Sequence, residues 1–450
     1  MTTTPDRTSV LPDDAPPPLR ARLSRARELG RTTRVGRLAR AALATLLLVL
    51  LAGVVVLVAV LRTQAAASDV VSRSGPLTAS AQELYRALSD ADATAGQGFL
   101  LGAGEPESLR LRYETDLAAA GRALTVVGAS TDADVGVTDP AVTTLAQGVP
   151  VYAGLVETAR AADRQGLTYG SAYLREASSF LRTTLLPAAQ QVYDVQAAEL
   201  AEDQARADGG AWTVLAVLAL AAALVALGLL HRRIRRTTRR RLTPGVALAG
   251  GALALLGVWG VLALGTCALL TGTARDQGSE PNRDLVAARF AVLQSRSDEI
   301  LTLVARSTGG QYEQDYVRRS IALYGWEGLL QRAGEQAGGG AVADDAGAAT
   351  VAGRAGISVH QLVRTLDLSG NYEEAVALAL STAPTGGEGS VDQVQDALDR
   401  AITATEATAS DAASGALAAT TLLAVGTVVL TLVAAGGLAA GVWPRLQEYR

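Results

Sequence analysis

The sequence predicts an all-α integral membrane protein in which one plan is written twice: transmembrane helix, polar helical domain, transmembrane helix. Three observations predict it. Apolar runs at 41–61, 211–230, 246–266 and from 416 to about 438 carry no charge, and each meets the roughly 20 residues that a hydrocarbon core about 30 Å thick requires. The polar stretches between them are rich in Ala, Leu, Arg, Glu and Gln at helical spacing and lack the alternating β-branched pattern of strands. Arg-Thr-Thr-Arg precedes the first run at 31–34 and the third at 236–239, and the same offset of 205 residues separates the starts of the second and fourth runs. A repeat of that length reads as an internal duplication.

In chain order, residues 1–18 hold Pro and acids without apolar periodicity and read as a disordered N-terminus. Residues 19–40 form a basic juxtamembrane segment, where Leu19, Leu23, Ala26 and Gly30 alternate with Arg20, Arg22, Arg25 and Arg27. That pattern fits a stretch lying on an inner leaflet, and equally simple positive-inside charge. Transmembrane helix 1 covers 41–61. It outlasts the h-region of a signal peptide, about 7–15 residues, and is followed by Arg62 and Gln64 in place of a small-residue cleavage site.

The first extracytoplasmic bundle, 62–210, divides into four helices. The first, about 65–101, is ended by Gly102, Gly104 and Pro106; the second covers about 106–128. After a Gly128–Asp139 loop, Pro140 opens the third, about 140–165, and Gly166 precedes the fourth, about 168–207, which Pro187 should kink. Transmembrane helix 2 (211–230), an Arg-rich cytoplasmic loop (231–245) and transmembrane helix 3 (246–271) come next. The second bundle, 272–415, repeats the plan. Leu285 to Val304 mark its first helix, Tyr312 to Leu329 with Trp326 its second, and Val359, Leu362, Val363 and Leu366 its third, after a Gly- and Ala-rich loop near 337–347. Gly370-Asn371-Tyr372 opens the fourth, which Ser381–Ser390, with Pro384 and three Gly, interrupts, so the second domain is expected to be the more plastic. Transmembrane helix 4 (416–443) and a tail (444–450) complete the chain. Asp208-Gly209-Gly210 and Ser414-Gly415 place flexible joints before the second and fourth spans.

Charge sets the expected orientation. The chain has no lysine; nine Arg fall in 1–40, seven in 231–245 and two in 444–450, so these segments are assigned to the cytoplasm and both polar domains to the other side of a cell membrane. The overall net charge of −4 hides this polarity, because the two polar domains net −8 and −9. A single cysteine, Cys267, excludes an intrachain disulfide, so both domains must be held by packing alone.

The catalytic inventory is thin. A Walker A loop needs a lysine, and zinc or redox cysteine sites need more than one Cys. His231 opens the basic loop, and His360 lies on a helix with no ligand at metal spacing. Neither a catalytic residue, a cofactor, a metal nor a nucleic-acid partner is expected. The spans hold no ionisable group, which argues against a transporter or channel. They do hold Gly250, Gly251, Gly257, Gly260, Gly265, Gly426, Gly436, Gly437 and Gly441, small residues that let helices approach closely.

Two groups are candidate partner-binding residues. Arg232, Arg233, Arg235, Arg236, Arg239, Arg240 and Arg241 offer a cytoplasmic docking surface, and contact with lipid headgroups accounts for them as well. Asp90 and Asp92, ahead of Phe99, have a counterpart in Asp298 and Glu299, ahead of Leu301 to Arg306. These acids read either as solvated helix faces or as a surface for an outer partner that carries a basic patch.

The Leu88 to Gly102 stretch, Tyr169 to Pro187, and Ser297 to Arg306 resemble the four-helix-bundle sensor domains of bacterial chemoreceptors. The whole plan over about 19–450, with its short Arg-rich inner loop and closing Pro444 to Arg450 tail, resembles an actinobacterial four-span membrane protein linked to a glutamine-binding-type lipoprotein and the soluble serine/threonine kinase G. The resemblance implies a relay: an outer solute-binding lipoprotein senses aspartate or glutamate, docks on the tandem bundles, and the membrane protein passes the state to a cytoplasmic serine/threonine protein kinase. No ligand residue is implied. Beyond the lipid bilayer and these two proteins, a second copy of the chain is a partner compatible with this reading. The inner segments are too short to hold a kinase or methyl-accepting domain, so the expected role is a non-enzymatic transducer. The alternative is a scaffold or accessory subunit of a transporter or cell-envelope complex.

Overall fold

The computed structural model describes residues 34–102, 105–135, 139–237 and 244–447. The expectations for 1–18, for most of the basic segment 19–40 and for 448–450 lie outside the described residues. Every regular element among the described residues is helical, in keeping with the all-α prediction. The first half contains α1 (Arg34–Asp69), α2 (Gly75–Leu101), α3 (Glu107–Val135), α4 (Pro140–Arg164), α5 (Gly170–Phe180), α6 (Leu186–Ala207) and α7 (Gly210–Thr237). The second contains α8 (Pro244–Thr273), α9 (Glu280–Ala305), α10 (Gly310–Tyr324), α11 (Leu329–Gln336), α12 (Ala341–Leu368), α13 (Tyr372–Ala379) and α14 (Gly387–Gln447).

Three short π turns interrupt these helices, at Val70–Ser74, Leu181–Leu185 and Ala274–Ser279, and each stands just before a proline: Pro76, Pro187 and Pro281. The physical cause is local. Proline has no N–H to give the carbonyl four residues back and its ring crowds that carbonyl, so the ladder opens to bonds five residues apart. Gly75 N–H reaches Val70 O, Leu186 N–H reaches Leu181 O and Glu280 N–H reaches Arg275 O. The disturbance expected of Pro187 is thus a wide turn. Pro76 and Pro281, which have no place in the expected helix plan, lie 205 positions apart.

Three expectations need correction. Helix α3 continues to Val135, beyond the end expected at 128. The second helix of the second half is broken into α10 and α11, because Gly325 and Gly328 are extended and Glu327 takes φ 56°. Ser414 and Gly415 form no joint: α14 runs unbroken from Gly387 to Gln447. The joint at Asp208–Gly209 is present, with Gly209 at φ 66° between α6 and α7. The break in the fourth helix of the second half is present too, between Ala379 and Gly387.

Four helical stretches, Arg37–Leu101, Gly170–Arg235, Pro244–Ala305 and Gly387–Trp443, are long and apolar enough to cross a membrane, which makes the chain a multi-pass membrane protein. The chain divides into two compact units. One comprises the chain through Ala59, Ala211–Leu262 and the chain from Leu423. Within it α8 and α14 meet backbone to backbone: a Cβ on Gly245 would stand 2.7 Å from the Gly441 nitrogen, and Gly437 and Gly426 face Gly245 and the Trp259 ring. Gly257 lies under Leu220 of α7, while Gly251, Gly260 and Gly436 have open space beside them, so only part of the glycine set serves close packing.

The other unit holds Val60–Gly210 together with Ala263–Leu422. Both polar domains therefore belong to one body, and a single hydrophobic core runs through it. Leu84, Leu88, Tyr113, Leu145, Tyr152 and Leu181 of the first half join Leu285, Ile300, Leu323, Leu330 and Leu398 of the second. The axis of this body is the pair α2 and α9. Their matched positions Tyr85 and Phe290, 205 apart, stack with centroids 3.7 Å apart, the kind of contact between equivalent residues that a two-fold axis makes. Gly96 permits the close approach: a Cβ there would meet Ile300 Cγ2 at 2.5 Å.

Candidate functional site

Helices α2 and α9 are enclosed on nearly every side, and yet they carry a run of polar groups. Ser89, Asp90, Asp92, Thr94 and Gln97 on one, and Ser295, Arg296, Ser297, Asp298, Glu299 and Thr302 on the other, are all buried. The four acids expected at a surface are therefore inside: Asp90 is 2% exposed, Asp92 3%, Asp298 0% and Glu299 8%. As folded they present no charge to an outer partner, and their partners are internal. The reason is tertiary: α2 packs against α3, α6 and α9, and α9 against α2, α10 and α11, so helices of both halves cover these faces.

The partners form a seam between the halves. Arg296, fully buried, donates through Nε to Glu388 Oε1 at 3.1 Å and pairs with Asp90 at 3.4 Å, while Gln97 gives a 2.5 Å hydrogen bond to the same Glu388. Burial would lower the Arg296 pKa, but Glu388 and Asp90 hold it above its usual value. Arg182, from the second π turn, binds Asp298, which Arg319 also binds, and Arg182 lies 3.5 Å from Asp315. Burial pushes Asp298 up to about 6 against these two guanidiniums. Asp92 accepts from Ser178 at 2.7 Å and Tyr152 at 3.3 Å, and burial raises its pKa.

The crossings share one geometric plan with inverted charge. In each half the fourth helix is irregular at matched places, the Leu181–Leu185 π turn and the gap before Gly387. From each irregularity a side chain reaches the first helix of the other half: Arg182 to Asp298, and Glu388 to Gln97. A third cluster lies within the second half, where His360 Nδ1 is 2.9 Å from Glu299 and Nε2 is 3.2 Å from Glu313, with the Tyr316 ring stacked at 3.7 Å. Burial would lower its pKa, but the two carboxylates prevail and raise it to about 9. Asp116 of α3 is buried near Asp90 with Oδ2 unpartnered, and burial together with Asp90 lifts it to about 6. Among the described residues no set of three His, Cys, Asp or Glu converges as metal ligands.

Of the basic-loop candidates, Arg232, Arg233 and Arg235 lie exposed along the last turns of α7. Arg239, Arg240, Arg241 and the side chain of Arg236 lie outside the described residues. Arg296, Arg182, Arg319 and Glu388 are not among the residues that the sequence singles out. A buried arginine has no periodic signature, because its partners sit on other helices.

The turn after the first helix differs between the halves. Gly102 takes φ 60°, ψ −137°, a region open to glycine; Arg306, also the residue after its helix, takes φ 49°, ψ −122°. An arginine there costs about 1–3 kcal/mol of backbone strain.

Residues 66–205 match the family model of the actinobacterial sensor domain. The matched stretch begins at Ala66 in α1 and ends in α6, so it takes in the whole first bundle with Asp90, Asp92 and Arg182. No curated protein and no solved structure matches the chain. The first bundle is thus similar to a sensing module, and the chain has the plan of a sensor protein with membrane-spanning helices.

Proposed function

We propose that the chain is a non-enzymatic transmembrane signal transducer whose polar unit lies outside the cytoplasm and whose state is passed inward along four helices. The observation that carries this reading is continuity. Each stretch long enough to cross a membrane is also a first or fourth helix of the polar unit, and apart from the three π turns only Asp208–Gly209 breaks one of them among the described residues. The helices that hold the buried charged seam are therefore the helices that enter the bilayer. Similarity of the first bundle to a sensor domain points the same way. The arginine bias of 231–245 supports the orientation, and Arg232, Arg233 and Arg235, exposed beyond the second span, are the proposed contacts for a cytoplasmic serine/threonine kinase. On the outer side the proposed partner is a solute-binding lipoprotein reporting aspartate or glutamate. Docking can bias the seam only if the partner binds two seam states with different affinity.

Two measurements test this. Single cysteines placed in α3, α12 and beside Arg233, in a Cys267→Ser background, are labelled with an impermeant thiol reagent; α3 and α12 should react in intact cells and the Arg233 region only after lysis. Site-specific crosslinking from the same positions, with and without aspartate or glutamate, should give adducts on both sides that depend on the amino acid. Adducts on both sides that ignore it would identify a scaffold instead.

A further inference from the structure

The geometry points to a small-oxyanion site, for a carboxylate or a phosphate, at the turn after α9, built from Arg306 and Tyr372 of the second half and Arg175 of the first. Arg306 is exposed, and its guanidinium carbon lies 4.1 Å above the Tyr372 ring. That ring is a fixed platform, because the Tyr372 hydroxyl donates to Leu303 O at 3.2 Å. Two residues on, Thr308 donates its hydroxyl proton to Ala305 O at 2.8 Å and accepts from Arg175 Nη1 at 3.3 Å, which brings a second guanidinium onto the same turn. Arg175 has one further bond, from Nε to Ser171 O. Among the described residues no carboxylate lies within ion-pair distance of Arg306 or Arg175, whereas Arg182, Arg296 and Arg319 of the seam and Arg364 beside His360 each hold at least one. Guanidinium N–H groups can only donate, and they match the paired oxygens of a carboxylate or phosphate.

Retention of arginine at a left-handed position, where the first half has Gly102, is accounted for by this use of its side chain. A ligand held by both arginines would tie α5 to the end of α9, and Arg182, in the π turn just beyond α5, already reaches Asp298 of α9. The site stands whichever way the chain crosses the membrane, so its failure leaves the transducer reading intact.

The test uses the full chain purified in lipid nanodiscs, with sodium succinate and sodium phosphate as probes and sodium chloride at matched ionic strength as the reference. Succinate or phosphate should raise the melting temperature beyond chloride, and the stronger of the two identifies the ligand as carboxylate or phosphate. Arg306→Gly puts the first half's residue into the same turn, so the variant should fold and melt higher than the natural chain without anion. It should nonetheless lose the anion-dependent shift, and titration calorimetry should show affinity lowered roughly tenfold or more. Arg175→Gln should lose most of the shift as well. No shift beyond chloride in the natural chain, or a full shift retained in Arg306→Gly, would overturn the proposal.

Discussion

Arg296 shows what a single buried charge contributes. It is fully buried between Asp90 and Glu388, so removing it takes from Glu388 its guanidinium partner and leaves Asp90 to Arg86 alone. Arg296→Met should destabilise the polar unit by about 3–5 kcal/mol, whereas Arg296→Met with Asp90→Asn and Glu388→Gln should recover most of that loss. Denaturant unfolding of the solubilised chain measures both; a triple variant no better than the single would refute the assignment. His360 makes a separate pH prediction. Its folded pKa, about 9, lies above the unfolded value near 6.5, so the stability it contributes is complete below about pH 6.5 and lost as the pH rises through about 9. Burial of Asp298 and Asp116 acts in the same direction at lower pH: with folded values of about 6 above an unfolded value near 4, the stability they contribute is present below about pH 4 and lost as the pH rises through about 6. Stability of the natural chain should therefore fall between about pH 7 and 10, and His360→Gln should flatten that limb. Residue identity alone gave the acidic pairs Asp90–Asp92 and Asp298–Glu299 but not their location. Spacing along one helix says which side chains share a face, not whether another half of the chain covers it.

At the scale of elements, the sequence was a good guide wherever punctuation is local. Pro140, Gly166, Gly370 and the Ser381–Ser390 break all mark real ends, since each acts within a turn of its own position. It was a poor guide where tertiary contact overrides propensity: Gly415 stays helical with its α carbon facing Leu270, and the Gly325–Gly328 turn splits a helix that reads as continuous. The second π turn shows how an element positions the site. An extra residue in a turn rotates the helix beyond it by about 100° relative to an unbroken one. Arg182 sits in that turn and meets Asp298. Pro187→Ala restores the missing N–H and removes the cause of the wide turn. A double-mutant cycle of Arg182→Ala and Asp298→Ala should show a coupling of about 1–3 kcal/mol in the natural background and a much smaller one with Pro187→Ala. Equal coupling in both backgrounds would mean that the wide turn does not set the contact.

For the whole molecule, the shared core changes what two copies of a plan can do. Had the polar domains been independent, each would melt alone, and a partner on one could leave the other unmoved. Here Tyr85 stacks on Phe290, Gln294 bonds Tyr85, and both charged crossings leave one half to end in the other. Residues 1–241 expressed alone would expose the Leu84 and Leu88 side of α2 and leave Arg182 without Asp298, so the fragment should be protease-sensitive. Co-expression with 242–450 should restore resistance, because every lost contact lies between the fragments and none depends on the linker that was cut. In the full chain, amide exchange of α2 and α4 should share one opening free energy with α9 and α12, since a core common to both halves opens as one cooperative unit. Two well-separated opening energies, or a first fragment as resistant as the full chain, would show that the halves fold independently. A single opening energy would mean instead that a ligand or partner engaging either half acts on all four helices that enter the membrane.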